Sequence, residues 1–210
     1  MQPWSGKPVT GEEKVRIFSR LQLIKLKMIF DMNYKKIEYL LQMKQIQRLP
    51  NVPHHRSYNI LEHGFVVGML FRWFASACDV SYDINVWDKV LMHDYLEAFT
   101  GDLNFVVKNF SEKTSSAWAT IEKEVCDRDS VLNHYSDEAI KSAMTEEQHT
   151  LFKVCDYLDL WIFCKQEEAL GNTTTGNMTV IDNCKRLIYN LCGQNRKWLP
   201  IFDFMAKYQA

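Results

Sequence analysis

The sequence predicts an all-α protein, and three observations carry that prediction. Eight glycines and five prolines in 210 residues are about half the combined share of an average chain. No proline occurs between Pro53 and Pro200, whereas a β-sandwich or barrel needs many turns built from these two residues. Apolar residues also recur at three- and four-residue spacing through most of the chain. The expectation is a compact bundle of about seven or eight helices. A basic helical extension, residues 1–47, precedes a core of residues 48–210.

The elements follow in order. Thr10-Gly11-Glu12-Glu13 reads as a capping box opening a helix whose apolar positions run from Val15 to Met32. Tyr34 to Ile46 continues the periodicity, with Ile37, Leu40 and Met43 on one side. Pro50 and Pro53 then force the chain out of helix. Asn59 is an N-cap, with Glu62 three residues on, for a helix through His63, Val67, Leu70, Phe71 and Phe74. A helix from Asp83 to Phe99 is expected to stop at Gly101, in a left-handed conformation. Ser111 to about Val131 and Ser136 to Ala143 come next. Thr145 and Gln148 form a second capping box for a long helix to Leu170. Residues 171–177 read as a surface loop, Val180 to Cys192 as the final helix, and the remainder as a short aromatic tail.

Charge and cysteines bound the setting. A formal net charge of −1 gives no global reason for binding nucleic acid or membranes. Residues 1–48 are nevertheless basic, with ten Lys/Arg against four Asp/Glu. That excess reads as the solvated face of amphipathic helices, with a nucleic-acid or dimer-partner surface as the alternative. The six cysteines include no CxxC pair and sit mostly in apolar stretches, as reduced core thiols do. No segment is long and apolar enough to span a bilayer, and the start is no signal peptide. A cytoplasmic location is expected, the host cytoplasm if the chain is phage-encoded.

Against this apolar pattern several polar residues stand out. His63 lies on an apolar helix, His93 and Asp94 are adjacent between apolar neighbours, and Asp156 falls between Cys155 and Tyr157. An imidazole and carboxylates buried together need compensation, which a divalent cation provides. A mixed nitrogen and oxygen set suits Mn²⁺, Co²⁺, Fe²⁺, Zn²⁺ or Mg²⁺ better than Ca²⁺. Glu97, four residues after His93, is expected on the same helical face. Taken singly, each residue is as readily a hydrogen-bonded core histidine, a cap or an ion-pair partner.

Taken together, Glu62-His63, His93-Asp94 with Glu97 and Gly101-Asp102, and Asp156 resemble the HD-domain phosphohydrolase superfamily. Within it they resemble bacterial HD-domain 5′-deoxynucleotidases and their phage relatives. The stretch from His93 to Leu103 matches that subgroup's HDxxExxTGDL segment at every fixed position. Val107-Lys108 matches its following Val-Lys, and Arg48 the arginine of its Arg-Trp pair. The resemblance implies an HD-domain fold in which His63, His93, Asp94 and Asp156 hold one divalent metal ion. Glu97 would orient or deprotonate the attacking water. Asp102 would protonate the leaving oxygen or bind the sugar. Arg48 and Lys108 would hold phosphate charge, and Leu49 would border the sugar and base.

Three positions depart from the subgroup: Leu49 replaces Trp, Gly64 replaces Ser, and residues 1–46 exceed the usual N-terminus. The implied activity is hydrolysis of deoxynucleoside 5′-monophosphates by a metal-activated water, in a homo-oligomer. A phage-type dATP triphosphohydrolase releasing triphosphate is the alternative. A nucleotide-sensing or nucleic-acid-binding module with an inactive site is the weaker one.

Overall fold

The computed structural model describes Gln22, Leu23, Lys25 and residues 34–103, 105–108 and 110–208. The capping box at Thr10 and most of the helix expected after it lie outside these residues. Residues 39–210 form one compact unit. The described residues contain helices and no strand; one isolated bridge pairs Gln47 with Asn59. The all-α expectation holds.

Helix α1 covers 34–43, α2 Ile60–Ala77, α3 Ile84–Leu91, α4 Glu97–Thr100, α5 Phe105–Lys108 and α6 Glu112–Arg128. They are followed by α7 Ser130–His134, α8 Asp137–Ser142, α9 Glu146–Ala169, α10 Thr175–Cys192 and, after a 3-10 turn at Arg196–Trp198, α11 Leu199–Lys207. The caps explain most of the boundaries. Asn59 accepts from the Glu62 amide, and Thr145 and Gln148 form the expected reciprocal box.

Four boundaries differ from the sequence reading. The helix expected over Asp83–Phe99 is two helices, because residues 92–96 are turns with i→i−3 bonds, Tyr95 to Met92 and Ala98 to Tyr95. His93 and Glu97 therefore do not share a helical face. The helix expected from Ser111 to Val131 ends at Asp129, whose side chain caps α7 by accepting from the Val131 and Leu132 amides. Helix α10 begins at Thr175 rather than Val180. Thr174 caps it, and buried Asn177 donates to the carbonyls of Cys164 and Asn172. The aromatic tail is helix α11, with Pro200 in its first turn, where no amide is needed.

The main core lies between α2, α9, α10 and α11, around Val67, Phe71, Leu151, Leu158, Ile188 and Ile201. A second cluster joins Met43, Ile60, Tyr95, Val131, Leu132 and Tyr135. Helix α2 spans both, with Ile60 in one and Val67 in the other, so its first turn sits where they meet. Buried Glu167 near the end of α9 accepts from the amides of His55 and Arg56, the Arg56 Nε and the Asn172 side chain. This fastens the proline-broken loop to α9. All six cysteines are free and buried. No described helix is long and apolar enough to cross a membrane.

Candidate active site

Three chain segments bring the four expected ligands together. His63 comes from the first turn of α2, His93 and Asp94 from the turn after α3, and Asp156 from the middle of α9. Glycine permits the approach. A Cβ on Gly64 would stand 2.7 Å from the backbone oxygen of Leu91, the end of α3. The serine expected there from the resemblance would push α3 away from α2, and His93 with it.

The two imidazoles face each other, Nε2 to Nε2, at 3.1 Å. Their outer nitrogens fix the tautomers. His93 Nδ1 lies 2.8 Å from the Val90 carbonyl, which only accepts. His63 Nδ1 lies 2.7 Å from Asp159 Oδ2, which also accepts the Tyr58 hydroxyl hydrogen at 2.7 Å. Both Nδ1 atoms therefore donate, and both Nε2 atoms face inward toward one another. At this distance a proton or a metal cation must lie between them. Carboxylate oxygens surround the same point. Asp156 Oδ1 is 3.2 Å and Asp94 Oδ2 3.5 Å from His63 Nε2, and Asp94 Oδ1 is 3.4 Å from His93 Nε2. Donor atoms of His63, His93 and Asp94 all lie within 4.8 Å of one another. The residues fit a divalent ion held by nitrogen and oxygen, with each imidazole oriented by an acceptor behind it.

Burial lowers His93 and keeps it neutral, although Asp94 and Asp156 pull the other way. His63 is also lowered by burial and by Arg48, yet Asp156 and Asp159 outweigh both and raise it to about 9, so at neutral pH its Nε2 carries a proton that a bound cation would displace. Burial alone would raise Asp94, but His93, Arg48 and His63 bring it down to about 2. Asp156 is likewise lifted by burial and more than offset by Lys153 and the two histidines, which hold it well below the carboxylate range. Both carboxylates stay ionised, as ligands must.

Around this quartet stand the other expected residues. Arg48 makes an ion pair with Asp94 and lies over the Tyr58 ring at 5.8 Å. Its amide donates to the Tyr58 carbonyl at 2.7 Å, which ties the segment before the proline break to the entry of α2. Glu97 begins α4. Its Oε1 is 3.4 Å from Lys108 Nζ, and its buried Oε2 has no hydrogen-bond partner among the described residues. Burial, then the charges of Asp94 and Asp102, push Glu97 up to about 8, against the pull of Arg48 and Lys108. Asp102 follows Gly101, whose φ of 76° releases the chain from helix. Leu49 has a φ of 54°, rare for a non-glycine residue, and packs against the main core.

Sequence reasoning missed Asp159, Tyr58, Lys153, Trp118 and Glu122. Asp159 and Lys153 are three residues either side of Asp156, a helical spacing that could have exposed them. Lys153 Nζ reaches Asp156 Oδ2 at 3.3 Å. Tyr58, Trp118 and Glu122 carry no such signal. Trp118 donates to Glu122 at 2.5 Å, and Lys108 lies over its ring at 5.5 Å.

Residues 35–186, which include all four expected ligands, match the family of 5′-deoxynucleotidase YfbR-like proteins. The chain belongs to this family. It is an HD-domain enzyme, a metal-dependent nucleotide phosphohydrolase. The 5′-deoxynucleotidase YfbR of Salmonella paratyphi B is 27% identical over 149 residues, 66% of this chain and 75% of that protein. The protein of the same name from Salmonella newport matches to the same extent. Among solved structures, an HD-domain phosphohydrolase from Listeria innocua superposes with a TM-score of 0.66 at 18% identity, covering 83% of this chain and 86% of that one. The HD phosphohydrolase DatZ of cyanophage S-2L, solved with dA and one catalytic Zn²⁺ ion, gives 0.56 at 18% identity, over 81% and 96%. Both confirm the HD-domain fold.

Proposed function

We propose that the enzyme hydrolyses deoxynucleoside 5′-monophosphates to deoxynucleoside and phosphate. The observation that carries this reading is the pair of inward-facing imidazole Nε2 atoms 3.1 Å apart, flanked by ionised carboxylates and next to a Glu97 carboxyl raised to about 8. His63, His93, Asp94 and Asp156 would hold one divalent ion, of the Mn²⁺, Co²⁺, Fe²⁺, Zn²⁺ or Mg²⁺ group. When bound, that ion supplies polarisation of the phosphoryl group and a water of lowered pKa.

The remaining steps belong to the chain. Lys108 and Arg48 hold phosphate oxygens and offset charge developing on them. Arg48 already pairs with Asp94, so it links phosphate to ligand. Glu97 takes the proton from the attacking water as the new P–O bond forms, a role its raised pKa suits near neutral pH. The P–O5′ bond breaks, and Asp102 delivers a proton to the leaving oxygen or holds the sugar hydroxyl. Leu49, in place of an aromatic residue, leaves a smaller wall beside sugar and base. The buried free thiols support a reducing, cytoplasmic setting, and the expected association of copies is part of the same reading.

The test uses protein stripped of metal, then given Mn²⁺, Co²⁺ or Mg²⁺ with dAMP, AMP or dATP, and products separated by chromatography. Deoxyadenosine and phosphate from dAMP, with AMP a poorer substrate, is the expected result. Intact triphosphate released from dATP in preference would replace this reading with a triphosphohydrolase. Failure to turn over any of the three would overturn it.

A further inference from the structure

A lysine is a point charge on a flexible stem, and nothing in the residue itself aims it. For Lys108, the last residue of α5, helix α6 does the aiming. Ser115 Oγ donates to the Lys108 carbonyl at 2.9 Å, which fixes the end of α5. The Trp118 ring lies under the ammonium, its centre 5.5 Å from Nζ. Glu122 Oε1 is 4.0 Å from the same Nζ. Trp118 Nε1 donates to that same oxygen at 2.5 Å, so ring and carboxylate hold each other in place. Ser115, Trp118 and Glu122 are three and four residues apart and form one stripe of α6. The remaining ion pairs of α6 are of another kind. Lys123–Asp127 and Glu124–Arg128 are all 61% exposed or more, where solvent screening leaves a pair little effect. Lys108 and Glu122 are only 26% and 28% exposed.

We propose that this stripe of α6 is the seat of Lys108, with Glu122 as its positioning residue and Trp118 as the residue that holds Glu122. The inference rests on the phosphate-holding role of Lys108 in the proposed function. The ammonium faces two carboxylates, Glu97 Oε1 at 3.4 Å and Glu122 Oε1 at 4.0 Å, and is shared between them. Held by Glu97 alone, it would have to leave its one partner to reach phosphate. With Glu122 on α6 it moves onto phosphate oxygens while a carboxylate still faces it. Glu122 keeps the Trp118 hydrogen bond throughout, so it is never a bare charge in a half-buried place. The same movement frees Glu97 Oε1 for the proton of the attacking water. Glu122 touches neither phosphate nor water and acts through Lys108.

The experiment is a double-mutant cycle on the full chain, with Glu122→Gln, Lys108→Met and the two combined, alongside Trp118→Phe. Two quantities are measured for each Mn²⁺-loaded protein: kcat and KM for dAMP, and the Kd of inorganic phosphate by calorimetry. Glu122→Gln is expected to raise KM and the phosphate Kd together and to lower kcat/KM about 10- to 100-fold, with an unchanged helical circular-dichroism spectrum. Trp118→Phe keeps a ring and loses the N–H, and is expected to show a smaller loss of the same kind. In the Lys108→Met background Glu122→Gln is expected to change neither quantity, because nothing is left for it to position. Equal losses in both backgrounds would overturn the proposal and make Glu122 a structural residue. A phosphate Kd untouched by Glu122→Gln, or a native chain that binds no phosphate, would overturn it as well. A native chain that binds phosphate but turns over no dAMP removes the monophosphatase reading instead, and the phosphate Kd values of the cycle still decide the seat.

Discussion

At the scale of the residue, the tautomers of the two histidines govern the site. Each Nδ1 donates to a fixed acceptor, so each Nε2 faces the same point. His93→Ala removes one nitrogen donor and is expected to abolish stoichiometric Mn²⁺ binding in calorimetry together with turnover. Asp159→Asn keeps the packing but weakens the acceptor behind His63. It is expected to reduce metal affinity about 10- to 100-fold, and an unaltered Kd would assign Asp159 a merely structural part. Glu97→Gln is expected to keep the metal and lose about 10²- to 10⁴-fold in kcat.

Glu97 also sets a pH dependence. Its carboxyl, ordinarily at 4.5, stands at about 8 in the fold, chiefly through burial and then through Asp94 and Asp102. The metal-free folded protein therefore holds a proton that the unfolded chain releases above about 4.5. Its contribution to stability is present in acid and is lost as pH rises from about 4.5 through about 8. Thermal melting of metal-free Glu97→Gln is expected to exceed that of the parent by a margin growing across this range. Parallel curves would contradict the assignment.

At the scale of the element, most of the helices were legible because caps are local chemistry. Asn59, Ser111, Thr145 and Ser136 bond amides three residues away, and that spacing is written in the chain. The Asp83–Phe99 segment was misread because its apolar periodicity does not register the i→i−3 turns at residues 92–96. Those turns break the helix between Leu91 and Glu97, so His93 and Glu97 do not lie on one helical face. Gly64 is the other decision at this scale. Gly64→Ala places a Cβ 2.7 Å from the Leu91 oxygen and is expected to cost about 1–3 kcal/mol. Metal affinity is expected to fall with it, because the end of α3 moves away from His63. Urea unfolding and metal titration of the same variant check both effects.

At the scale of the whole molecule, the proposed metal site would tie together three segments distant in sequence. Binding to the folded form alone stabilises it by about 2.7 kcal/mol at a hundredfold excess over Kd. Mn²⁺ is expected to raise the melting temperature of the native chain and to leave His93→Ala unmoved. A similar rise in both would mean that the ion binds elsewhere.

The amino-acid order alone determined that this chain is helical, where most helices begin, and which imidazoles and carboxylates could share an ion. Those depend on interactions over three or four residues, or on a motif whose spacing survives in the chain. The tertiary structure decided the rest: the apposed Nε2 atoms, the ion pair of Arg48 with Asp94, the support of Asp159 and Tyr58 behind His63, and the raised carboxyl of Glu97. Each of these depends on burial and on distances between segments up to about a hundred residues apart, which no local pattern records. The stripe of α6 beside Lys108 belongs to the same class, since the spacing of Ser115, Trp118 and Glu122 is visible in the chain but their meeting with Lys108 exists only in the folded molecule.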